Sequence, residues 1–293
     1  MKIGIVILNY HTWEATERLV EALQRQTVAG DLAIVVVDND SPDDSYEMLL
    51  PLKDKFGIVV AVLQTGSNLG YAKGNNVGLC WLDENVHPDY VVIANNDIVL
   101  PDDCLEKLAE RFPTLDKACI LSPVQRLPDG RRIVGWNLSS WWDDVKNLSL
   151  LYRWWKKKSA QRMPDVPGSD EPIKVEVIPG SFLFASFDRF KQIGFFYPGT
   201  FLYVEERFVA HATKKAGYQN YVLPDMTYLH EHSKTINTAL SKVRQYRLQY
   251  GGWLKFTRRC RRCGELKAVL MIPLMGLSLV EIMIVSSVQS VLR

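Results

Sequence analysis

The sequence is short of the features that define disulfide-bonded or strongly charged proteins. It has five cysteines at scattered positions, an odd number that argues against a disulfide framework and favours a reducing compartment. Its formal net charge is only +2, which argues against a general nucleic-acid binder, because such proteins are usually more basic. Cys260 and Cys263 form a single CxxC pair, which we interpret as two free thiols because a zinc site needs four ligands.

Two phosphate-binding signatures are also missing. No GxGxxG follows the first apolar run and no GxxxxGK[ST] occurs in the chain, so neither a dinucleotide-binding Rossmann domain nor a P-loop is supported. The N-terminal segment MKIGIVILNY lacks the long apolar core and the small-residue cleavage site of a signal peptide. We expect this segment to form the first strand of a cytosolic domain.

What the chain does have is an alternation of short apolar runs and segments with helical spacing. The apolar runs, which suit strands buried on both faces of a sheet, cover residues 3–8, 32–37, 58–63 and 90–94. The helix-like segments between them cover residues 12–26, 45–56 and 75–82. This alternation predicts βαβ units and a doubly wound, mostly parallel sheet. Further along the chain we expect a strand over 175–187 and a helix over 205–216.

Three of the predicted strands end in a polar tip. The tips are Asn9–His11, Asp38–Asp40 and Asn95–Asp97. In doubly wound folds, ligands bind beyond the carboxyl ends of the strands, so we expect the three tips to converge at one edge. One tip alone is explained by turn chemistry, since Asn and Asp favour loops after strands. Three tips together indicate a binding site.

Seven segments, taken in order, resemble the family 2 glycosyltransferases of the GT-A fold. They lie within residues 3–235 and read IVILNYH, VVVDNDSPDDS, NLGYAKGNNVG, VVIANNDIVL, IPGSFLFASFDRFKQIGFF, FLYVEERFVAHATKKAGY and LPDMTYLHEHS. The likeness is greatest to the rhamnosyl- and galactofuranosyl-transferase-like branch, which builds bacterial surface polysaccharides. The resemblance implies a Rossmann-like, mixed, mostly parallel sheet with flanking helices. It also implies inverting transfer of a rhamnose-like, galactofuranose or hexose unit from a dTDP- or UDP-sugar to a lipid-linked or polysaccharide acceptor.

The resemblance assigns a metal site to the tip of the fourth strand. The motif NND lies where such enzymes carry a DxD-type motif, so Asp97 is expected to bind the Mg²⁺ or Mn²⁺ that accompanies the donor diphosphate. The first position of this motif is Asn95 rather than Asp. His230 is expected to be a further metal or diphosphate contact, although a lone His is usually structural. Residues 232–234 (HSK) are weaker candidates for the same contacts.

The resemblance also places a nucleotide-sugar pocket at the predicted edge. Its expected lining residues are Asn9, Tyr10, Asp38, Asn68, Gly70, Asn75 and Asn96. Asp38 is expected beside the base, where its carboxylate would accept a hydrogen bond from a pyrimidine N3–H. The alternative for Asp38 is an Asx-turn after the strand. The alternative for Asn75 is a helix N-cap.

The segment FLYVEERF carries the expected catalytic base. Inverting sugar transfer is an in-line displacement in which the acceptor hydroxyl loses its proton to a nearby carboxylate. Glu206 matches the usual base of the family, and Glu205 is the alternative. Two acids are also favoured in a first helical turn by the helix dipole alone. We favour the catalytic role because the pair follows the strand-like apolar run TFLY.

The C-terminal part of the chain predicts membrane association. We expect a GT-A domain over residues 1–240 and a basic, then apolar, helical region over 241–293. Residues 268–288 have one charge, Glu281, and are long enough for a single span. A helix lying in the interface and a soluble core helix are the alternatives. The basic segment before the apolar run predicts that the catalytic domain lies on the cytoplasmic side, and YRWWKKK (152–158) favours the same membrane contact.

Two other functions are compatible with parts of the sequence. A sugar nucleotidyltransferase of similar fold would have a glycine-rich segment after the first strand, and NYHTWEATERL has no glycine. A catalytically degenerate relative that binds a partner enzyme at the membrane would explain Asn95. The retained acids Asp97, Glu205 and Glu206 and the retained His230 argue against it.

Overall fold

One mixed sheet of ten strands organises the part of the chain that the computed structural model describes, which is residues 1–149, 152–153, 170–231 and 241–291. The strands are β1 (Ile3–Asn9), β2 (Leu32–Asp38), β3 (Val59–Gln64), β4 (Tyr90–Asn95), β5 (Ile98–Val99), β6 (Ala118–Arg126), β7 (Arg132–Ile133), β8 (Ile173–Val175), β9 (Phe182–Ser186) and β10 (Gln219–His230). The helices are α1 (Trp13–Gln24), α2 (Ser45–Leu49), α3 (Leu52–Lys55), α4 (Gly70–Asn85), α5 (Cys104–Arg111), α6 (Trp141–Lys146), α7 (Phe187–Gln192), α8 (Glu205–Lys215), α9 (Lys242–Cys260) and α10 (Gly264–Val291).

The strand order explains where the polar tips lie. The sheet runs β3-β2-β1-β4-β9-β6-β10-β5, with β7 beside β6 and β8 beside β10. β1 is parallel to β2 and β4, and β2 is parallel to β3, so the first four strands end at the same edge. β9 is antiparallel to both β4 and β6, which makes the sheet mixed. The predicted alternation of strands and helices is confirmed from β1 to β4.

Both faces of the sheet are covered by apolar layers. Side chains of β1 and β2 such as Ile5 and Ile34 pack with α1, α2, α3 and α5 on one face. Val6 and Val35 point to the opposite face, where α4, α7 and α8 pack. All seven residues of β2 are buried, as expected for a central parallel strand. The near-continuous apolar runs of the sequence therefore correspond to strands covered on both sides.

The structure corrects several predicted boundaries. The helix predicted over 75–82 begins at Gly70 and ends at Asn85, so Asn75 lies in its second turn and the N-cap alternative is wrong. The helix predicted over 45–56 is two short helices, because Pro51 has no N–H to donate to a continuous helix. The strand predicted over 175–187 is interrupted between β8 and β9, where Pro179 and Gly180 disfavour a strand.

The two C-terminal helices form an antiparallel hairpin. Tyr250 Oη of α9 lies 2.7 Å from Ser278 Oγ of α10, and Thr257 Oγ1 lies 3.7 Å from Met271 Sδ. Positions earlier in α9 thus contact positions later in α10. Ser241 caps α9, since its hydroxyl accepts a hydrogen bond from the Arg244 N–H.

Candidate active site

The three polar tips converge in a buried hydrogen-bond network. Asn9 at the end of β1 donates from Nδ2 to Asp38 Oδ1 at the end of β2, over 2.9 Å. Asn96, just after β4, donates from Nδ2 to Asn9 Oδ1 over 3.3 Å and to Thr12 Oγ1 over 2.8 Å. Thr16 Oγ1 donates to the same Asn9 oxygen over 2.9 Å. The network locks the carboxyl ends of three neighbouring strands together.

Asp38 is fully buried and has three protein donors. Its Oδ1 accepts hydrogen bonds from Asn9 and from Ser41 Oγ (2.6 Å), and its Oδ2 accepts one from the Ser41 N–H (3.0 Å). The bond to the Ser41 N–H, three residues on, is a local side-chain-to-backbone hydrogen bond of the kind that Asp forms in turns, although an Asx-turn in the strict sense would use the N–H two residues on. Tyr10 lies beside it at the same edge, half-buried, with its ring edge-on to the His11 ring. A contact between Asp38 and a nucleotide base stays a prediction.

The loop before α4 is held by Asn39, a residue that the sequence did not single out. Asn39 donates from Nδ2 to Asn68 Oδ1 (3.1 Å), and its Oδ1 accepts a hydrogen bond from the Leu69 N–H (3.0 Å). Asn68 also caps the loop by accepting from the Gly70 N–H over 3.0 Å. The only indication of Asn39 in the sequence was its place between Asp38 and Asp40 in the second polar tip. Asn75 is buried within α4, where its Nδ2 donates to Tyr71 O over 2.9 Å.

Gly70 lies where the start of α4 packs against the loop that precedes Glu205, and only glycine fits there. Its φ is +78°, and a Cβ at this position would lie 2.1 Å from the carbonyl oxygen of Phe201. The next residue, Tyr71, donates its N–H to the same carbonyl over 2.8 Å. The start of α4 is therefore in direct backbone contact with the loop that leads to Glu205 and Glu206.

Asp97 and His230 are brought together by a short antiparallel strand pair. Asp97 precedes β5, His230 ends β10, and Ile98 pairs with His230 in the ladder. The Glu231 N–H donates to Asp97 O over 2.9 Å, which fixes the two backbones. Asp97 Oδ1 then lies 3.1 Å from His230 Nε2, and both side chains are about one-tenth exposed.

Gln125, on the neighbouring strand β6, completes this pair. Its Nε2 lies 2.7 Å from His230 Nδ1 in the buried interior. An amide N–H is a donor, so Nδ1 acts as the acceptor and Nε2 carries the proton toward Asp97. No local pattern in the sequence indicates Gln125, because it comes from a strand about a hundred positions away from His230.

The donor atoms of Asp97 and His230 fit a divalent cation held largely by its substrate. Among the described residues, no cluster of three or more His, Cys, Asp or Glu side chains could hold a metal ion. Mg²⁺ bound with a nucleotide diphosphate needs only one or two protein carboxylates, because phosphate oxygens and water fill the other positions. The carboxylate of Asp97 suits either Mg²⁺ or Mn²⁺, and the imidazole of His230 beside it offers an additional nitrogen donor. His230 would bind through Nε2 with its proton moved to Nδ1, and Gln125 would then present its carbonyl oxygen.

The acidic pair follows a strained bend. The run TFLY, predicted to be strand-like, contains no strand, and this prediction is wrong. Tyr203 and Val204 both have left-handed backbone angles, with φ of 72° and 76°. A β-branched residue in this conformation is a genuine outlier, with a cost of about 1–3 kcal/mol. The hydrogen bond between Phe201 O and the start of α4 holds this bend in place. The bend leads directly into α8.

Glu205 and Glu206 occupy the first turn of α8, but they differ in environment. Glu205 is buried, and burial together with the charge of Glu206 raises its pKa to about 8. Its Oε1 has no hydrogen-bond partner within the part of the chain that the structure describes. Glu206 is half-buried, and burial raises its pKa as well. A helix dipole alone would lower both values, so the dipole does not account for the raised pKa values, and the catalytic role of the pair stays a prediction.

Side chains from both the sheet and α8 line one cavity of about 360 Å³. His230 and Gln125 line it from the sheet, and Glu205 and Glu206 line it from α8. Further lining comes from Tyr71, Trp136, Tyr203, Gln249 and Trp253. A larger cavity of about 710 Å³ lies between β3 and α4 and contains none of the predicted site residues, so we place the chemistry in the smaller one.

A buried ion cluster lies directly behind the acidic pair. Asp144 Oδ2 accepts hydrogen bonds from Arg207 (2.9 Å) and from Arg261 (2.5 Å), while its Oδ1 accepts one from Ser139 Oγ (2.7 Å). Arg207 immediately follows Glu206, and Arg261 lies in the turn between α9 and α10. The cluster ties the C-terminal hairpin to the helix that carries the acids. The predicted contacts of residues 232–234 and 154–158 lie outside the described residues.

Comparisons of the sequence with known proteins identify the family of the chain. The sequence profile described as Glycosyl transferase family 2 matches residues 4–172. The N-acetylglucosaminyl-diphospho-decaprenol L-rhamnosyltransferase of Mycobacterium tuberculosis is 25% identical over 249 residues, which are 78% of this chain and 75% of that protein. The low-salt glycan biosynthesis hexosyltransferase Agl10 of Haloferax volcanii is 24% identical over 205 residues, covering 70% of this chain and 59% of that protein.

Solved structures share the fold. The mannosyltransferase PcManGT from Pyrobaculum calidifontis, in complex with GDP-Man and Mn²⁺, gives a TM-score of 0.59 at 14% identity, covering 98% of this chain and 75% of that one. GalNAc-T7, with UDP, GalNAc and Mn²⁺, gives 0.58 at 14% identity, and the match spans 79% of this chain but 44% of that protein. Likeness at this identity concerns the fold alone, and it confirms the predicted GT-A architecture. Because the family profile covers more than half of the sequence, the chain belongs to glycosyl transferase family 2 and is a glycosyltransferase of its rhamnosyltransferase-like branch.

Proposed function

We propose that this enzyme is a metal-dependent, inverting glycosyltransferase of surface polysaccharide biosynthesis. It transfers a rhamnose-like, galactofuranose or other hexose unit from a dTDP- or UDP-sugar to a lipid-linked or polysaccharide acceptor. The observation that carries the proposal is the single cavity in which His230, the partner of Asp97, faces Glu205 and Glu206. The name of the mycobacterial relative, a rhamnosyltransferase acting on a diphospho-decaprenol, supports the rhamnose-like donor and the lipid-linked acceptor.

Asp97 and His230 are the proposed ligands of Mg²⁺ or Mn²⁺. When bound there, the ion supplies Lewis-acid stabilisation of the negative charge on the departing diphosphate. Two structures of the same fold were solved with Mn²⁺, which supports this choice of cofactor. Gln125 orients the imidazole of His230 by its hydrogen bond to Nδ1.

Glu206 is the proposed base. Glu205, with a pKa of about 8, is mostly protonated at neutral pH and cannot readily take another proton. Its neutral form also removes a like charge from beside Glu206. Burial raises the pKa of Glu206 too, so its assignment rests on its match to the family's usual base and on its place in the cavity wall. In this role it takes the proton of the acceptor hydroxyl as that oxygen bonds to the anomeric carbon. The bond from this carbon to the phosphate oxygen breaks on the opposite face, which inverts the anomeric configuration and releases the nucleoside diphosphate.

The tips of β1, β2 and β4 are the proposed donor side. Half-buried Tyr10, Asn68 and Asn96 are available at this edge to contact the base, the ribose and the sugar. Asn9 and Asp38 lie behind them, fully buried, and brace the pocket through the network. Gly70 and Asn75 shape the wall by fixing the start of α4.

We propose that residues 241–293 attach the catalytic part, residues 1–240, to the cytoplasmic face of a membrane. Among the described helices, the segment Gly264–Ser286 is long and apolar enough to cross one. The basic residues that precede it support the cytoplasmic orientation.

A transfer assay tests this function. Membranes containing the enzyme are supplied with radiolabelled dTDP-rhamnose, UDP-galactofuranose or UDP-hexoses, with Mn²⁺ or with a chelator. We expect label from one donor to enter the lipid extract with Mn²⁺, and no transfer with the chelator or with Glu206→Gln. A catalytically degenerate partner protein would transfer label from none of the donors, and a nucleotidyltransferase would instead release diphosphate from a nucleoside triphosphate and a sugar phosphate.

A further inference from the structure

The outer face of α10 is a broad apolar surface that nothing in the described chain covers. Its exposed apolar side chains are Leu266, Val269, Leu270, Ile272, Leu274, Leu277, Val280, Met283, Ile284 and Val285. The buried side is one narrow stripe with alternating spacings of three and four residues: Ala268, Met271, Met275, Ser278 and Ile282. A core helix of a soluble protein would be covered on most sides, and within the described chain this helix is covered on one side only. A surface of this kind marks an interaction site.

Charge favours a lipid bilayer as the occupant of this surface. Arg244 and Arg247 on α9 and Arg262 in the turn are exposed on the same hairpin that carries the apolar face. Exposed arginines next to a helix with an apolar face are typical of binding to anionic lipid headgroups. A second copy of the chain would place the same cations against each other.

Packing decides between a helix that crosses the membrane and one that lies along it. α9 runs beside α10 over the stretch where Thr257 contacts Met271 and Tyr250 contacts Ser278. A crossing α10 would carry this part of α9, with Lys255 and Arg258, into the hydrocarbon region, where charged side chains are strongly disfavoured. Lys255 also donates to Gly199 O over 2.6 Å, which would draw the catalytic domain in as well.

The same hairpin borders the catalytic cavity. Gln249 and Trp253 of α9 line the cavity with Glu205 and Glu206. Arg261 of the turn is bound to Asp144, which also binds Arg207 beside Glu206. The separation between the axes of packed helices is about 8–10 Å, so a single helix layer separates α10 from the cavity.

We infer that α10 lies in the plane of the membrane, with its outer face among the acyl chains and with α9 between it and the catalytic cavity. This inference rests on the proposed function and specifies where its acceptor arrives. Because α9 belongs to the membrane-bound hairpin and also lines the cavity, the sugar of a lipid-linked acceptor reaches Glu206 while its lipid stays in the bilayer.

A depth measurement on the full chain tests this orientation. Leu270→Cys, Leu277→Cys and Ile284→Cys lie one heptad apart along the exposed face. Each is labelled with a bimane fluorophore in a chain whose Cys80, Cys260 and Cys263 are replaced by serine. The labelled protein is mixed with phosphatidylcholine–phosphatidylglycerol vesicles that carry a nitroxide either near the headgroup or near the acyl-chain end. Lys53→Cys, exposed on α3, is the control and should not be quenched.

For a helix in the plane, all three positions are quenched alike, and more strongly by the nitroxide near the headgroup. A crossing helix would give the deepest signal at Leu277 and shallower signals at the other two, which would overturn the inference. Absence of quenching at all three, with dimers in sedimentation, would also overturn it and assign the face to a second copy. Nucleotide binding by the same samples reports separately on the proposed function, which fails if wild-type protein binds no nucleotide whatever the depth pattern.

The arginines provide an independent test. Replacing Arg244, Arg247 and Arg262 by glutamine should weaken binding to vesicles containing phosphatidylglycerol by about fivefold for each residue at low salt. Binding to pure phosphatidylcholine should not change. Equal binding of the triple variant and the wild type to the anionic vesicles would contradict the orientation.

Discussion

The two sides of the catalytic site differ in how their polar groups are satisfied. On the donor side, Asn9, Asp38 and Asn96 are hydrogen-bonded to one another behind the cavity. On the side of α8, Glu205 has a buried oxygen without a partner, a raised pKa and two left-handed residues before it. A network in which every polar group has a hydrogen-bond partner makes a rigid binding surface. Buried acids without partners, next to a strained backbone, are typical of reactive sites. The proposed binding function thus belongs to one side and the proposed chemical function to the other.

The largest effect is expected from the acids themselves. Glu206→Gln should lower the transfer rate by about 10²–10⁴-fold, because the acceptor hydroxyl loses its general base, while nucleotide affinity stays unchanged. Glu205→Gln is the matched control and should retain most activity at neutral pH, because its amide resembles the protonated acid already present. Rates are measured at saturating donor and acceptor. If Glu205→Gln is the more damaging change, the roles of the two acids are reversed.

The ion cluster behind the acids should be the most sensitive point for stability. Asp144→Ala leaves Arg207 and Arg261 buried without their carboxylate, and we expect a loss of about 3–5 kcal/mol in the free energy of unfolding. Chemical denaturation measures this loss. Asp129→Ala, which removes an exposed Asp paired with Arg131, is the control and should leave the midpoint unchanged. Equal midpoints for both variants would show that the cluster does not hold the two regions together.

The contact between the two sides can be broken at one glycine. Gly70→Ala places a methyl group against Phe201 O, and the left-handed angle adds a further cost of about 1–2 kcal/mol. Gly66→Ala shares the positive φ (69°) but meets no atom within 4 Å, so it isolates the cost of the backbone angle. We expect Gly70→Ala to lose both stability and transfer activity, and Gly66→Ala to lose only a little stability. Equal activities would mean that α4 does not support the catalytic loop.

The environment of Glu205 also predicts a pH dependence of stability. The pKa of Glu205 in the folded chain is about 8, above its ordinary value of 4.5, so the folded state holds a proton that the unfolded state releases. The stabilisation is complete below the ordinary value and declines as the pH rises toward 8. Relative to Glu205→Gln, the wild type should therefore lose unfolding free energy between these two pH values and then level off. A difference that does not vary with pH would contradict the buried environment of Glu205.

The donor side was predictable from the sequence because its signals are local. Each tip directly follows a run of buried β-branched residues, and parallel strands bring their carboxyl ends together whatever the details of packing. The pairing of Asp97 with His230 followed only from the family resemblance, since their contact depends on β5 and β10. Even so, the true start of α4 at Gly70 was missed, because a glycine-rich segment weakens the helical pattern.

The side of α8 was less predictable because its features depend on long-range contacts. The bend at Tyr203 and Val204 is fixed by Phe201 O against the Tyr71 N–H, and a local reading of TFLY favoured a strand. Asp144 was not distinguishable from other acids in WWDDVK, since its two arginines lie far along the chain. The apolar run of α10 was recognisable, but its orientation followed only from its packing on α9.

Calorimetry tests the proposed division of roles, in which one edge of the sheet binds a metal–nucleotide and α8 performs the chemistry. UDP and dTDP are titrated, with and without Mn²⁺, into detergent-solubilised wild type, Asp97→Ala, Glu206→Gln and the surface control Asp102→Ala. We expect Mn²⁺-dependent binding of one nucleotide that is lost in Asp97→Ala and retained in Glu206→Gln and Asp102→Ala. Binding that does not depend on Mn²⁺ or Asp97, or no binding by well-folded wild type, would contradict it.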